Sequence, residues 1–170
     1  MAQSERTSPL HQRQETSHDS PEIRIMPPLI LYACLGAGVV AELLFPTSLP
    51  WLKPFWRVAL GSAFGLAAFL FMMSGHSLFR RIGTNVRTNR PALLLVTQGM
   101  YRYSRNPMYV GMCGFLAGLG VIFDNLWLLA GCAPLALYFV LYVVPREERY
   151  MLRTFGAAYE QYKSEVRRWL

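Results

Sequence analysis

Four apolar runs divide the chain: Met26 to Phe45, Phe55 to Met73, Met108 to Phe123 and Leu126 to Val144. A helix crosses about 30 Å of hydrocarbon with about 20 apolar residues, so this pattern predicts an all-α integral membrane protein of about four transmembrane helices. The third run is short, and Asp124-Asn125 leaves only a tight turn before the fourth, which predicts an antiparallel helical hairpin. Beyond Val144 the period changes. Met151, Leu152, Phe155, Tyr159, Tyr162, Val166 and Trp169 recur at three- and four-residue spacing among charged positions, which predicts an interfacial amphipathic helix over Arg146 to Leu170. Gly156 weakens that helix by about 1 kcal/mol relative to Ala.

Residues 1–25 are polar, mixed in charge and nearly free of large apolar side chains, so they are expected to form a disordered tail ahead of a single membrane domain over 26–170. No apolar stretch follows the start closely enough for a secretory signal, so the first run is expected to be a retained span. Composition agrees: 53% of the chain is hydrophobic and 16% charged, too little charge for an ordinary soluble domain. The 17 Lys and Arg against 10 Asp and Glu give a net charge of +7, but the basic residues flank the apolar runs and form no stripe suited to nucleic acid. They follow the positive-inside rule instead. Arg80, Arg81, Arg87, Arg90, Arg102 and Arg105 crowd the connection between the second and third runs. A second basic group, Arg146, Arg149, Arg153, Lys163, Arg167 and Arg168, follows the fourth. Both regions, and with them both termini, are expected to be cytoplasmic.

Within the runs, Gly61 and Gly65, and likewise Gly114 and Gly118, are four apart, a spacing that lets helix backbones approach closely. Glu42 and Arg57, the charges nearest the membrane interior, are functional candidates by default, but both lie near the outer ends of their runs, which favours snorkelling or a mutual pair. Cys34, Cys113 and Cys132 sit in apolar sequence with no CxxC spacing or neighbouring His, as small core residues do, and imply neither a disulfide nor a metal site. His76, just past the second run, reads as an interfacial side chain more often than as a base. No GxGxxG follows a strand, so no soluble dinucleotide-type domain is implied.

Chemistry concentrates just before the third run, in Leu95-Val-Thr-Gln-Gly-Met-Tyr-Arg-Tyr-Ser-Arg-Asn-Pro-Met-Tyr-Val-Gly111. Pro107 suits the first helical position, and the preceding Tyr, Arg and Asn residues place donors and aromatic faces at a helix N-terminus that favours a carboxylate or phosphate. An interface belt of aromatic and basic residues has the same composition. The acidic pair in Val144-Pro-Arg-Glu-Glu-Arg149 reads either as a favourable first helical turn or as the partner of a cationic ligand group. The expected hairpin brings Arg105-Asn106 and Glu147-Glu148 to the same membrane face, which favours the ligand reading.

The run GMYRYSRNPMYVG, followed after the hairpin by PREERYMLRTFGAAYEQYKSEVRRW, resembles the isoprenylcysteine carboxyl methyltransferase and phospholipid methyltransferase superfamily of membrane enzymes, over Phe79 to Trp169. The resemblance implies methyl transfer from S-adenosylmethionine, with Thr97, Gly99, Tyr101, Arg105, Asn106, Tyr109, Glu147 and Glu148 as cofactor-binding residues and Arg105 and Asn106 at the reacting centre. A pocket at the cytoplasmic ends of the hairpin, open to the interface, leads to the expectation of a membrane lipid or lipid-attached acceptor, and neither metal nor nucleic acid is expected as partner. Asn106 stands where the prenyl-protein enzymes have His, and Met100 where Pro is common. A carboxylate or thiolate acceptor needs no strong base, because orientation supplies much of the rate. Two other readings stay open, an NADPH-dependent sterol-type reductase with a similar hairpin motif and a non-catalytic membrane subunit. The acceptor's identity and the oligomeric state are open too.

Overall fold

A computed structural model describes residues 21–50, 52–82 and 94–170 of the chain. The described residues form helices and no strands: α1 (Pro27–Leu44), α2 (Pro54–Ile82), a 3-10 turn (Gly99–Arg102), α3 (Pro107–Ile122), α4 (Leu126–Tyr138), a π turn (Phe139–Val143), α5 (Val144–Phe155) and α6 (Ala157–Glu165). Among these residues three helices are long and apolar enough to cross a membrane: α1, α2, and the continuous rod from Leu126 to Phe155. The fourth expected span, α3, is apolar but has 16 residues. At about 1.5 Å per residue it falls short of a full hydrocarbon crossing.

α2 packs along α3, and α4 packs on α1 and α3. The α2–α3 seam is built from small residues on both helices. A Cβ at Gly118 would stand 2.5 Å from the Gly65 Cα, one at Gly111 2.7 Å from the Ala68 carbonyl oxygen, and one at Gly114 2.8 Å from the Ala68 Cβ. Of the two glycine pairs expected from the sequence, Gly65 and Gly118 meet directly, while Gly61 lies against Ile122 and Gly114 against Ala68, and the backbones approach as closely as hydrogen in place of a side chain permits.

The expected hairpin closes at Asp124-Asn125. Asp124 takes φ +58°, a left-handed conformation that Asp tolerates better than most residues, and the Asn125 side chain caps α4 by accepting from Leu128 N at 2.8 Å. Arg57 forms an ion pair with Asp124, whose other oxygen accepts from Leu49 N at 2.6 Å. Glu42 instead accepts from the backbone N–H and hydroxyl of Thr47. The mutual Glu42–Arg57 pair considered from the sequence does not form, because the hairpin turn brings a nearer carboxylate to Arg57. Cys34, Cys113 and Cys132 are free and half-buried within the bundle.

At the other end the rod leaves α-helical register. Pro145 has no N–H to give to the carbonyl four residues earlier and crowds it, and the π turn Phe139–Val143 absorbs that mismatch just before α5. The amphipathic stretch over Arg146 to Leu170 is not one helix. α5 continues the rod, Gly156 turns the chain at φ +50°, and α6 runs separately to Glu165. Nor do its aromatic positions form a lipid-facing stripe, since Tyr150, Tyr159 and Tyr162 are buried in the protein. Residues 21–25, assigned by composition to the tail, pack on the bundle. Ile23 is buried in the core, and the Tyr138 hydroxyl donates to the Ile25 carbonyl at 2.6 Å. Residues 1–20, and Arg87 and Arg90 of the basic connection, lie outside the described residues.

Candidate active site

The motif before α3 folds as a tight turn. Gly99, at φ +60°, starts the 3-10 turn against Leu78, where a Cβ would be both strained and crowded. Tyr101 is buried edge-on to Phe79, with ring centroids 5.3 Å apart, and its carbonyl accepts from the Tyr162 hydroxyl at 2.7 Å. Ser104 is fully buried and accepts from Asn106 N at 3.1 Å, holding Arg105 and Asn106 at the mouth of α3. Pro107 then opens the helix at a position where no N–H is needed.

α5 brings the acidic pair to the same place. The Tyr109 hydroxyl donates to Glu147 Oε1 at 2.6 Å, with its ring stacked on Phe139 at 4.5 Å. Arg105 Nη2 meets Glu148 Oε1 at 3.2 Å, with side chains 10% and 16% exposed, so this ion pair is screened far less than a surface pair. Arg105 Nε and Nη1 are buried and have no hydrogen-bond partner among the described residues. The Tyr159 phenol lies against the same guanidinium. Burial pushes its ionisation up, Glu148 adds to this, and Arg105 partly opposes it. Burial likewise raises the Tyr101 and Tyr162 phenols, so all three are neutral donors at physiological pH.

A narrow cavity of about 60 Å³ is lined by Tyr101, Arg105, Asn106, Glu147, Glu148 and Tyr159, with Phe79, Val96, Met151 and Tyr162 among its other walls. Beside it, sharing Leu95 and Tyr162, opens a wider cleft of about 600 Å³ lined by Thr97, Arg102, Gln161 and Glu165. Of the residues expected from the sequence, five line the narrow cavity and Tyr109 stands one hydrogen bond behind it. Thr97 lines the wider cleft, while Gly99 lines neither and shapes the turn. His76, within α2, lines neither. Tyr159 and Tyr162 were legible as members of an apolar period but not as walls of a site. Arg168 carried no signal beyond its charge, yet its guanidinium grips Glu148 at 3.0 and 2.6 Å. Among the described residues no group of three or more His, Cys, Asp or Glu is placed to hold a metal ion.

The donor set fits S-adenosylmethionine at its amino-acid end. An α-amino acid carries a carboxylate and an ammonium on one carbon, and Arg105 beside Glu148 offers a cation and an anion side by side, with two guanidinium nitrogens, Nε and Nη1, making no hydrogen bond among the described residues. The narrow cavity, about 60 Å³, brings the Arg105 and Glu148 side chains to one wall, as such a group requires.

Comparison with known proteins finds methyltransferases. Two protein-S-isoprenylcysteine O-methyltransferases are similar to the chain over 73 residues, that of Schizosaccharomyces pombe at 34% identity and that of Dictyostelium discoideum at 33%. The matched segment is 43% of this chain and 31% of each relative, so the chain spans about a third of the length of the curated relatives it matches. No solved structure matches. The family model for phospholipid methyltransferase matches residues 56–158, well over half of the chain and inclusive of the turn, α3, the hairpin and the acidic pair. The chain belongs to the phospholipid methyltransferase family.

Proposed function

We propose that the protein transfers a methyl group from S-adenosylmethionine to an amphiphilic or lipid-attached acceptor at the cytoplasmic face of a membrane. The observation that carries this reading is the buried Arg105–Glu148 pair in the wall of a cavity lined by tyrosines, with Nε and Nη1 of the guanidinium making no hydrogen bond among the described residues. Arg105 clamps a carboxylate, and the adjacent acidic pair takes an ammonium. Tyr101 and Tyr159 supply walls and neutral hydroxyl donors, and Tyr109 holds Glu147 in place from α3. Thr97 borders the cleft in which a nucleoside has space. When bound, S-adenosylmethionine supplies a methyl group on a sulfonium, which an anionic oxygen or thiolate can take without a strong base from the protein.

The acceptor class follows from placement. The site lies at the ends of apolar helices, on the side that carries Arg80, Arg81, Arg146 and Arg149, and the positive-inside rule makes that side cytoplasmic. An acceptor anchored in the bilayer reaches such a site without leaving it. The matched relatives are by name methyltransferases of a lipid-bearing cysteine, which supports the same class. Titrating the purified protein with S-adenosylhomocysteine and separately with NADPH tests the cofactor assignment. Binding of the first alone is expected. Binding of NADPH alone would favour the reductase reading, and binding of neither the non-catalytic one.

A further inference from the structure

After α6 the chain becomes extended at Val166, φ −121° and ψ 133°, and residues 166–170 run back across the candidate site. Four contacts fasten this strap. Arg105 N donates to the Arg167 carbonyl at 3.0 Å, and the Asn106 side-chain amide donates to the Arg168 carbonyl at 2.9 Å. The Arg168 guanidinium takes Glu148 in a two-pronged grip, and Trp169 packs against the apolar core. Three of these contacts end on Arg105, Asn106 or Glu148.

We propose that the strap is part of the cofactor site and that Arg168 is a positioning residue that keeps the Arg105 guanidinium available to the ligand. This inference rests on the proposed function. Glu148 is a planar carboxylate within reach of two planar guanidinium forks. Arg168 occupies both of its oxygens through Nε and Nη2, and Arg105 is left a single contact through Nη2. Without Arg168, Glu148 is free to take the Arg105 fork in the same two-pronged manner, which would use up Nε and draw the guanidinium out of the cavity. Two backbone carbonyls of the strap act in the same sense, that of Arg167 holding the Arg105 N–H and that of Arg168 holding the Asn106 side-chain amide.

The test uses the full chain in lipid nanodiscs and two readouts. Calorimetric titration with S-adenosylhomocysteine should show Arg168→Ala binding roughly tenfold or more weakly than the parent, the loss typical of a charge-assisted contact. Arg168→Lys, which restores the charge without the fork, should recover part of the loss, and Arg168→Ala should add no further loss in a Glu148→Gln background, where there is no charged grip to remove. Hydrogen exchange without ligand reads the strap directly, since the Arg105 amide should exchange faster in Arg168→Ala while α2 and α3 amides stay as protected as in the parent. The Arg168 side chain is 44% exposed, so folding should tolerate its loss. Unchanged or tighter binding by Arg168→Ala, or an unchanged Arg105 amide, overturns the strap proposal while leaving the cofactor assignment in place. Failure of the parent itself to bind overturns both.

Discussion

The phenol of Tyr109 and the carboxylate of Glu147 lie 2.6 Å apart, although 38 residues separate them in the chain. The contact exists because α3 and α4 return on themselves at Asp124-Asn125 and the π turn before Pro145 sets the rotation of α5. Tyr109→Phe keeps the ring stacked on Phe139 and removes only the donor. Leaving one Glu147 oxygen without it should weaken S-adenosylhomocysteine binding by about five- to thirtyfold, the equivalent of about 1–2 kcal/mol. Calorimetry on Tyr109→Phe and on Tyr103→Phe, an exposed control, checks this; equal losses in both would mean that the Tyr109–Glu147 contact has no part in the site.

Arg105→Lys retains the charge but replaces three nitrogens in a planar fork by one, so it cannot hold Glu148 and a ligand carboxylate in the same two-pronged way. Binding should fall by roughly ten- to a hundredfold, in line with about 1.5–3 kcal/mol for a hydrogen bond to a charged group. Parent-like affinity in the Lys variant would show that Arg105 does not clamp the ligand.

The small-residue seam makes a stability prediction with its own control. A Cβ at Gly118 meets the backbone of α2, whereas one at Gly36 meets nothing within 4 Å. Gly118→Ala should destabilise the bundle by about 1–3 kcal/mol, as overpacking of a close contact does, and Gly36→Ala should not. Thermal unfolding in one detergent compares them; a Gly118→Ala midpoint equal to that of Gly36→Ala would mean the α2–α3 approach is looser than described.

Orientation is testable by cysteine accessibility. Ser48 and Lys163 are both exposed and lie toward opposite ends of the bundle. With Cys34, Cys113 and Cys132 replaced, Ser48→Cys should react with an impermeant reagent on intact cells and Lys163→Cys only after permeabilisation. The reverse pattern would place the site on the outer face.

Much of this architecture could be read from the residues because its causes are local. Apolar run lengths located the helices, the Asp124-Asn125 gap dictated the hairpin, and the hairpin returned the Glu147-Glu148 pair to the membrane face of Arg105-Asn106. What the sequence concealed depends on the path of the chain in space. The 3.6-residue period passes through Gly156 without interruption, so one helix was expected where two form, and the same apolar stripe serves a bilayer or the walls of a pocket equally well. Tyr159 and Tyr162 took the second role because the 3-10 turn offers them the backbone and side chain of Tyr101. Arg168 could not be singled out among neighbouring basic residues, since its partner Glu148 lies 20 positions away across that unforeseen bend.

The buried Arg105–Glu148 pair is proposed to serve methyl transfer to a membrane-borne acceptor. Incubating the purified full chain with methyl-labelled S-adenosylmethionine and a membrane extract, then counting label in the organic and aqueous phases, measures it most directly. Label should enter the organic phase with the parent and fall to background with Arg105→Ala; label confined to water-soluble products, or absent from both phases, would contradict the account.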